Sequence, residues 1–308
     1  MNERLAACLR WLAVAVYFVA TSLGHLRFTQ WLLQPRQSDW LGAYAFKDAV
    51  PALLVTAGVV LLACVMRTAW RDPRGAWATG GYWVLWAICV ATVDRLLTYS
   101  VYEYAHYPQY ALLAWLIARA LDPQRAGQAG GRTLFWATLL GIVDECMQYL
   151  WITPSYGHYL DFNDFLVNLL AASAGVMLHA GACRPWTPAA RAPRPWTEWL
   201  TVLGLTTVLA GAMAAGRLQV SPPAGLAVPA GGFATAADGV TRLYLQRAPD
   251  WYGSVQTGPY RGAYRVLSPG FSVVVMLLIG WVFSSDAARY RPGSGRSAWR
   301  LRDCGPGG

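Results

Sequence analysis

The sequence predicts an all-α, polytopic bundle of about eight transmembrane helices with a small external, β-rich loop region. Three observations carry this. Hydrophobic residues make up 56% of the 308 positions and charged ones only 13%, against about 25% charged in soluble domains. Mean hydropathy is +0.31. Apolar runs of membrane length recur along the chain, with arginines in short loops between spans.

The runs fall at 8–26, 49–66, 82–98, 101–120, 133–151, 162–183, 199–216 and 270–285. The first follows a basic start that superficially resembles a leader. No small-residue cleavage site follows it, so it reads as a retained span. The third and fourth nearly touch, but 82–120 is too long for one crossing, and the polar residues from Asp94 to Glu103 mark a turn. Three units result: 1–81 with two spans, 82–183 with four, and 184–308 with two spans, an external loop at 217–269 and a basic tail.

Charge sets the expected orientation. The chain carries 25 basic and 16 acidic residues, and Lys47 is its single lysine. With a cytoplasmic N-terminus, one side receives Arg4, Arg10, Arg67, Arg71, Arg74, Arg119, Arg125, Arg132, Arg184, Arg191, Arg194 and the arginines of the tail. The short segments of the other side receive Arg27, Arg36 and Lys47. Arginine in short loops marks the cytoplasmic face. The expectation is an inner-membrane protein with both termini cytoplasmic, membrane lipids as its surroundings and no nucleic-acid partner. The 16 Trp and 16 Tyr suit interfacial belts. The six cysteines form no CxxC pair, and neither a disulfide framework nor a zinc motif is read from them.

The loop at 217–269 is too long for a plain connection. SPPAGLAVPAGGFATAADG is rich in Pro, Gly and Ala, VTRLYLQ alternates like a strand, and WYGSVQTGPYRGAYRVL mixes aromatics with glycine turns. A small β-rich cap is expected there.

Ionisable groups inside spans are costly, about 2.5–3.5 kcal/mol each at the centre, and so mark candidate sites. The third run ends in Asp94 and Arg95; the fourth carries Glu103, His106 and Tyr110; the fifth Asp144, Glu145 and Gln148; the sixth Asp161, Asn163, Asp164 and Asn168. Glu103–His106, Glu145–Gln148 and Asp161–Asp164 are three apart, and His106–Tyr110 and Asp164–Asn168 four apart, so each pair shares a helix face. With the alternating direction of the spans, every set falls at the external end of its helix. A polar pocket facing the outer leaflet follows. Its expected ligand-binding residues are Arg95, Glu103, His106, Tyr110, Glu145, Gln148, Asp161, Asp164 and Asn168. Glu145 and Asp164 would accept from the ligand, Gln148 and Asn168 orient them, and His106 with Tyr110 closes the opposite wall. Arg95 is the one cation placed to neutralise the carboxylates. Interhelical hydrogen bonding is the plainer alternative for these residues; helix capping is the plainer one for Asp161 and Asn163, and an ion pair at a span end for Asp94 with Arg95.

These residues resemble the VanZ-like family of membrane proteins. Its pattern appears as His106–Tyr110 in HYPQY, Glu145–Gln148 in ECMQ and Asp164–Asn168 in DFLVN, with Gly175 at the family's glycine. The resemblance covers roughly residues 82–183. Many relatives carry an arginine in the loop after the glutamine, and WITPSYGHYLDF has none. The family takes its name from a protein of low-level teicoplanin resistance, so the resemblance implies a cell-envelope role with a lipid-linked or amphiphilic ligand.

Catalytic residues are left unassigned and no cofactor is expected. PSYGHYLD has a superficial likeness to the PSGH stretch of membrane phosphatidate phosphatases but lacks the basic residues that would hold phosphate. No HExxH and no GxSxG occurs. No metal is assigned, although Glu103, His106, Glu145 and Asp164 are chemically able to bind a divalent ion. Two further readings stay open: an intramembrane enzyme acting on an envelope lipid with His106 or Glu145 as general acid/base, and a structural subunit of a membrane complex.

Overall fold

A computed structural model describes residues 3–38, 42–44, 49–71, 73–124, 129–155, 157–181 and 196–285. Eight α-helices and seven short strands occur among them: α1 (Glu3–Leu33), β1 (Arg36–Ser38), β2 (Gly42–Tyr44), α2 (Val50–Arg71), α3 (Pro73–Leu96), α4 (His106–Leu121), α5 (Gly130–Met147), α6 (Phe162–Gly181), α7 (Trp196–Ala214), β3 (Leu218–Gln219), β4 (Phe233–Thr235), β5 (Thr241–Tyr244), β6 (Val255–Gly258), β7 (Gly262–Arg265) and α8 (Pro269–Ser285). Cys183, Cys304 and the arginines of the tail lie outside the described residues.

Each expected span meets a helix, but eight spans do not follow. Among the described residues, three helices are long and apolar enough to cross a membrane: Glu3–Gly24 within α1, Phe162–Ala180 within α6 and Trp196–Ala214. Two shorter apolar stretches, Val55–Cys64 and Pro269–Ser284, lie in α2 and α8. The reason is length and polarity. The fourth helix starts at His106 and has 16 residues, about 24 Å of rise against a 30 Å hydrocarbon core. The third carries Asp94 and Arg95, and the fifth Asp144 and Glu145.

Helix α6 is the hub. Within its apolar stretch 89% of the residues are buried, against 11% in α1 and 6% in α7. It packs against α3, α4, α5 and α8. Gly175 permits the closest approach: a Cβ there would sit 2.2 Å from Ala111 O and 2.8 Å from Ala114 Cβ on α4. By contrast α7 and α8 expose Trp199, Leu200, Leu203, Val208, Leu277 and Trp281. Contiguous apolar surface of that extent suits lipid contact. At its start α7 is tethered to α5 by buried Glu198, which accepts from Arg132 Nε at 2.8 Å and Trp136 Nε1 at 3.0 Å.

The β-rich cap expected at 217–269 is present as short strands. Strands β3, β5 and β4 form a three-stranded sheet in that order, β3–β5 parallel and β5–β4 antiparallel. Strands β6 and β7 form an antiparallel hairpin that pairs Gly258 with Gly262. Gly262 has φ +85°, the left-handed conformation that favours glycine at such a turn. A second two-stranded ribbon, β1–β2, follows α1, where the sequence reading placed only a connection.

Candidate functional site

Four local devices bring polar groups to the capped end of the bundle. Between α3 and α4 the chain makes a 3-10 turn, Val101–Ala105, closed by a capping box: Ser100 Oγ accepts from Tyr102 N, and Glu103 Oε1 accepts from Tyr99 N at 2.8 Å and Ser100 N at 3.0 Å. Glu103 therefore precedes α4 instead of sharing a helical face with His106. The end of α5 widens into a π turn, Gln148–Ile152, a local irregularity frequent at functional sites. Asp161 caps α6, its Oδ1 accepting from Asn163 N at 2.8 Å and Asp164 N at 3.4 Å. Lastly, the cap folds over these ends.

Asn163 holds the cap in place. Its Nδ2 donates to Leu97 O at 3.0 Å and Arg265 O at 2.8 Å, and its Oδ1 accepts from Leu267 N at 3.1 Å. The hairpin also meets the end of α3: Arg261 pairs with Asp94 at 2.6 Å, and the Tyr104 hydroxyl donates to Asp94 at 2.5 Å. Tyr149 donates to Tyr244 O on β5, and the Arg247 guanidinium donates to Gly157 O. The indole of Trp251 stacks on the His158 ring at 5.1 Å.

Under the cap lies a cavity of about 410 Å³. Of the residues expected from sequence, Glu103, His106, Glu145, Gln148, Asp161 and Asp164 line it. Tyr110 and Asn168 do not; they are buried behind the wall at 1% and 0% exposure. Tyr110 donates to Asp144 Oδ2 at 2.5 Å and lies beside the His106 ring. Asn168 donates to Glu145 Oε1 at 3.1 Å, and its Oδ1 lies 2.8 Å from His106 Nδ1. Arg95 is exposed and lies off the cavity. Adjacent helical positions point about 100° apart, so Asp94 reaches the cap while Arg95 does not. The expected Asp94–Arg95 pair is replaced by Asp94–Arg261.

Residues outside the expected set also line the wall, among them Tyr99, Ser100, Tyr102, Tyr149, His158, Tyr159, Trp251, Thr257 and Tyr264. Asp144, read as polar but not assigned, is fully buried and joins Tyr110 to Gln148, whose Nε2 donates to it at 3.1 Å. The serine and glutamate of SVYE were a legible capping signature; the aromatics come from distant segments and carried no local signal.

The chamber is acidic. Four carboxyl groups line it, and no lysine or arginine is among the described lining residues. Burial pushes the Asp161 carboxyl up to about 8, with Asp164 adding to the rise against the lowering by the two capping amides. Its Oδ1 is the oxygen that caps α6. Burial likewise raises Tyr159, Tyr252 and Tyr264, which stay neutral hydroxyl groups. Glu103 Oε2 and Asp164 Oδ1 are buried oxygens with no hydrogen-bond partner among the described residues. Unpaired buried acceptors are costly, and a ligand supplying positive charge or hydrogen-bond donors would offset that cost.

Comparison with protein-family models, curated proteins and solved structures finds no match for the chain.

Proposed function

We propose that the chain is a VanZ-like integral membrane protein of the cell envelope that holds the polar head of an amphiphilic ligand in its capped chamber. The observation that carries this is the acidic, aromatic-rimmed cavity at one end of a lipid-facing bundle. Carboxylates provide acceptors, and Trp251, Tyr99 and Tyr264 provide flat apolar surface beside them. Aromatic surface beside convergent polar groups in a concave site is a common form of small-ligand pocket. It favours a head rich in ammonium or hydroxyl donors. Without a bound metal ion, a head held mainly through phosphate lacks a partner, because no lysine or arginine is among the described lining residues.

In this reading the bundle crosses the inner membrane with both termini cytoplasmic, and the cap and chamber face outward, as the arginine distribution supports. A link to glycopeptide resistance belongs to the family resemblance and enters on that basis alone. The test is native mass spectrometry of the purified chain in detergent. The expected result is a co-purified amphiphile with an amine- or hydroxyl-rich head, depleted by Trp251→Ala. A chain that carries none, and takes up none from extracted envelope lipid, would falsify the reading.

A further inference from the structure

We infer that His106, Glu145 and Asp164 form a site for one divalent transition-metal cation, of the zinc or manganese kind, on the inner wall of the chamber. The inference shares the chamber with the proposed function but does not depend on any amphiphile.

The three residues come from three helices, α4, α5 and α6. One donor atom from each lies within 4.8 Å of the other two. Ligands held about 2.1 Å from a common ion lie about 3–4 Å apart, so small side-chain motions complete the arrangement. His106 and Glu145 are 4% and 5% exposed, so the site is shielded from bulk water.

The surroundings orient these groups as metal ligands are usually oriented. Asn168 bridges His106 and Glu145. Its Nδ2 donates to the carboxylate, so its Oδ1 is the acceptor and His106 Nδ1 is the donor. His106 Nδ1 also lies 3.6 Å from Glu145 Oε1, so the imidazole and the carboxylate meet on the side that Asn168 bridges. Hydrogen bonds that fix a side chain's orientation, as Asn168 does for both groups, are regular companions of metal ligands. Asn168 is itself fully buried, on the face of α6 that also presents Asp164.

An independent observation points to a missing positive charge. Asp164 Oδ1 is buried without a hydrogen-bond partner on a residue that lines the cavity, and Glu103 Oε2 on the same wall is in the same state. With no lysine or arginine among the described lining residues, a divalent ion is the compact group that satisfies both Glu145 and Asp164. One imidazole with two carboxylates suits zinc or manganese better than calcium or magnesium, which prefer all-oxygen sites.

The test uses the full chain purified in detergent, stripped with a chelator, desalted, and titrated separately with zinc chloride and manganese chloride. The expected result is retention of about one equivalent of one metal per chain and a rise in unfolding temperature on its addition. Asp164→Asn and Glu145→Gln each weaken binding by about tenfold or more, the scale on which even orienting partners act, while Asp238→Asn in the exposed cap turn leaves it unchanged. Retention well below one equivalent, with no thermal shift in the wild-type chain, overturns the site without reliance on any variant. Equal binding by well-folded Asp164→Asn and Glu145→Gln overturns it as well. A metal-free chain that still carries an amphiphile overturns the ion site and leaves the proposed function standing; a metal-loaded chain that never binds an amphiphile does the reverse.

Discussion

Replacing Asn163 by Ala tests how the cap is held. The side chain is 2% exposed and satisfies three backbone groups on three segments: Leu97 O at the end of α3, Arg265 O on β7 and Leu267 N before α8. Each bond contributes about 1 kcal/mol net, and losing the side chain strands all three groups, so the loss is about 3 kcal/mol. Ala has the better helix propensity and returns about 0.5 kcal/mol. The backbone amide that Asp161 caps is kept, so the start of α6 is untouched. The net of about 2.5 kcal/mol corresponds to a factor of about 60 in the equilibrium between docked and lifted cap. Hydrogen exchange in detergent reads that equilibrium directly. Amides of β6, β7 and Leu267 should lose about 60-fold protection while those in the middle of α6 keep theirs. Protection changed by less than about threefold would show that the hairpin is held by other contacts and refute this accounting.

Three further outcomes follow from the same packing. Arg261→Ala breaks a pair whose arginine is 37% exposed, and Asp94 keeps the Tyr104 hydroxyl, so solvent screening limits the change in hairpin exchange to about twofold. Gly175→Ala drives a Cβ into Ala111 O and lowers the thermal unfolding midpoint by an amount equivalent to about 2 kcal/mol or more, whereas Gly58→Ala, with open space around it on exposed α2, leaves the midpoint level or raises it by the equivalent of about 0.5 kcal/mol. Tyr110→Phe removes a donor from fully buried Asp144, whose Oδ1 already lacks a hydrogen bond, and costs about 2 kcal/mol in the same scan.

Sequence alone determined where the eight helical segments lie, that 217–269 forms strands, and which polar residues deserve notice. Apolar length and local periodicity are properties of contiguous residues, so they survive without a fold. Helix edges moved where a local motif overrode hydropathy. The fourth run looked continuous from residue 101, but the Ser100–Glu103 box made the first turn 3-10 and left α4 to begin at His106. Spacing placed Asp164 and Asn168 on one face of α6, but only Asp164 lines the cavity, Asn168 lying one turn deeper, and the expected Asp94–Arg95 pair gave way to Asp94–Arg261.

Only the tertiary structure decided three things. Asp94 meets Arg261 of the cap, Tyr110 meets Asp144, and Asn163 serves the cap as well as α6. Each joins segments far apart in the chain, and no spacing rule encodes a contact between different helices. Enclosure is likewise tertiary. The carboxyl groups around WITPSYGHYLDF could be counted from the sequence, but whether water, lipid or protein surrounds them depends on Trp251, Thr257 and Tyr264 arriving from the cap. It is the arrival of those distant side chains, with no lysine or arginine among the described lining residues, that turns a polar helix joint into an acidic cavity.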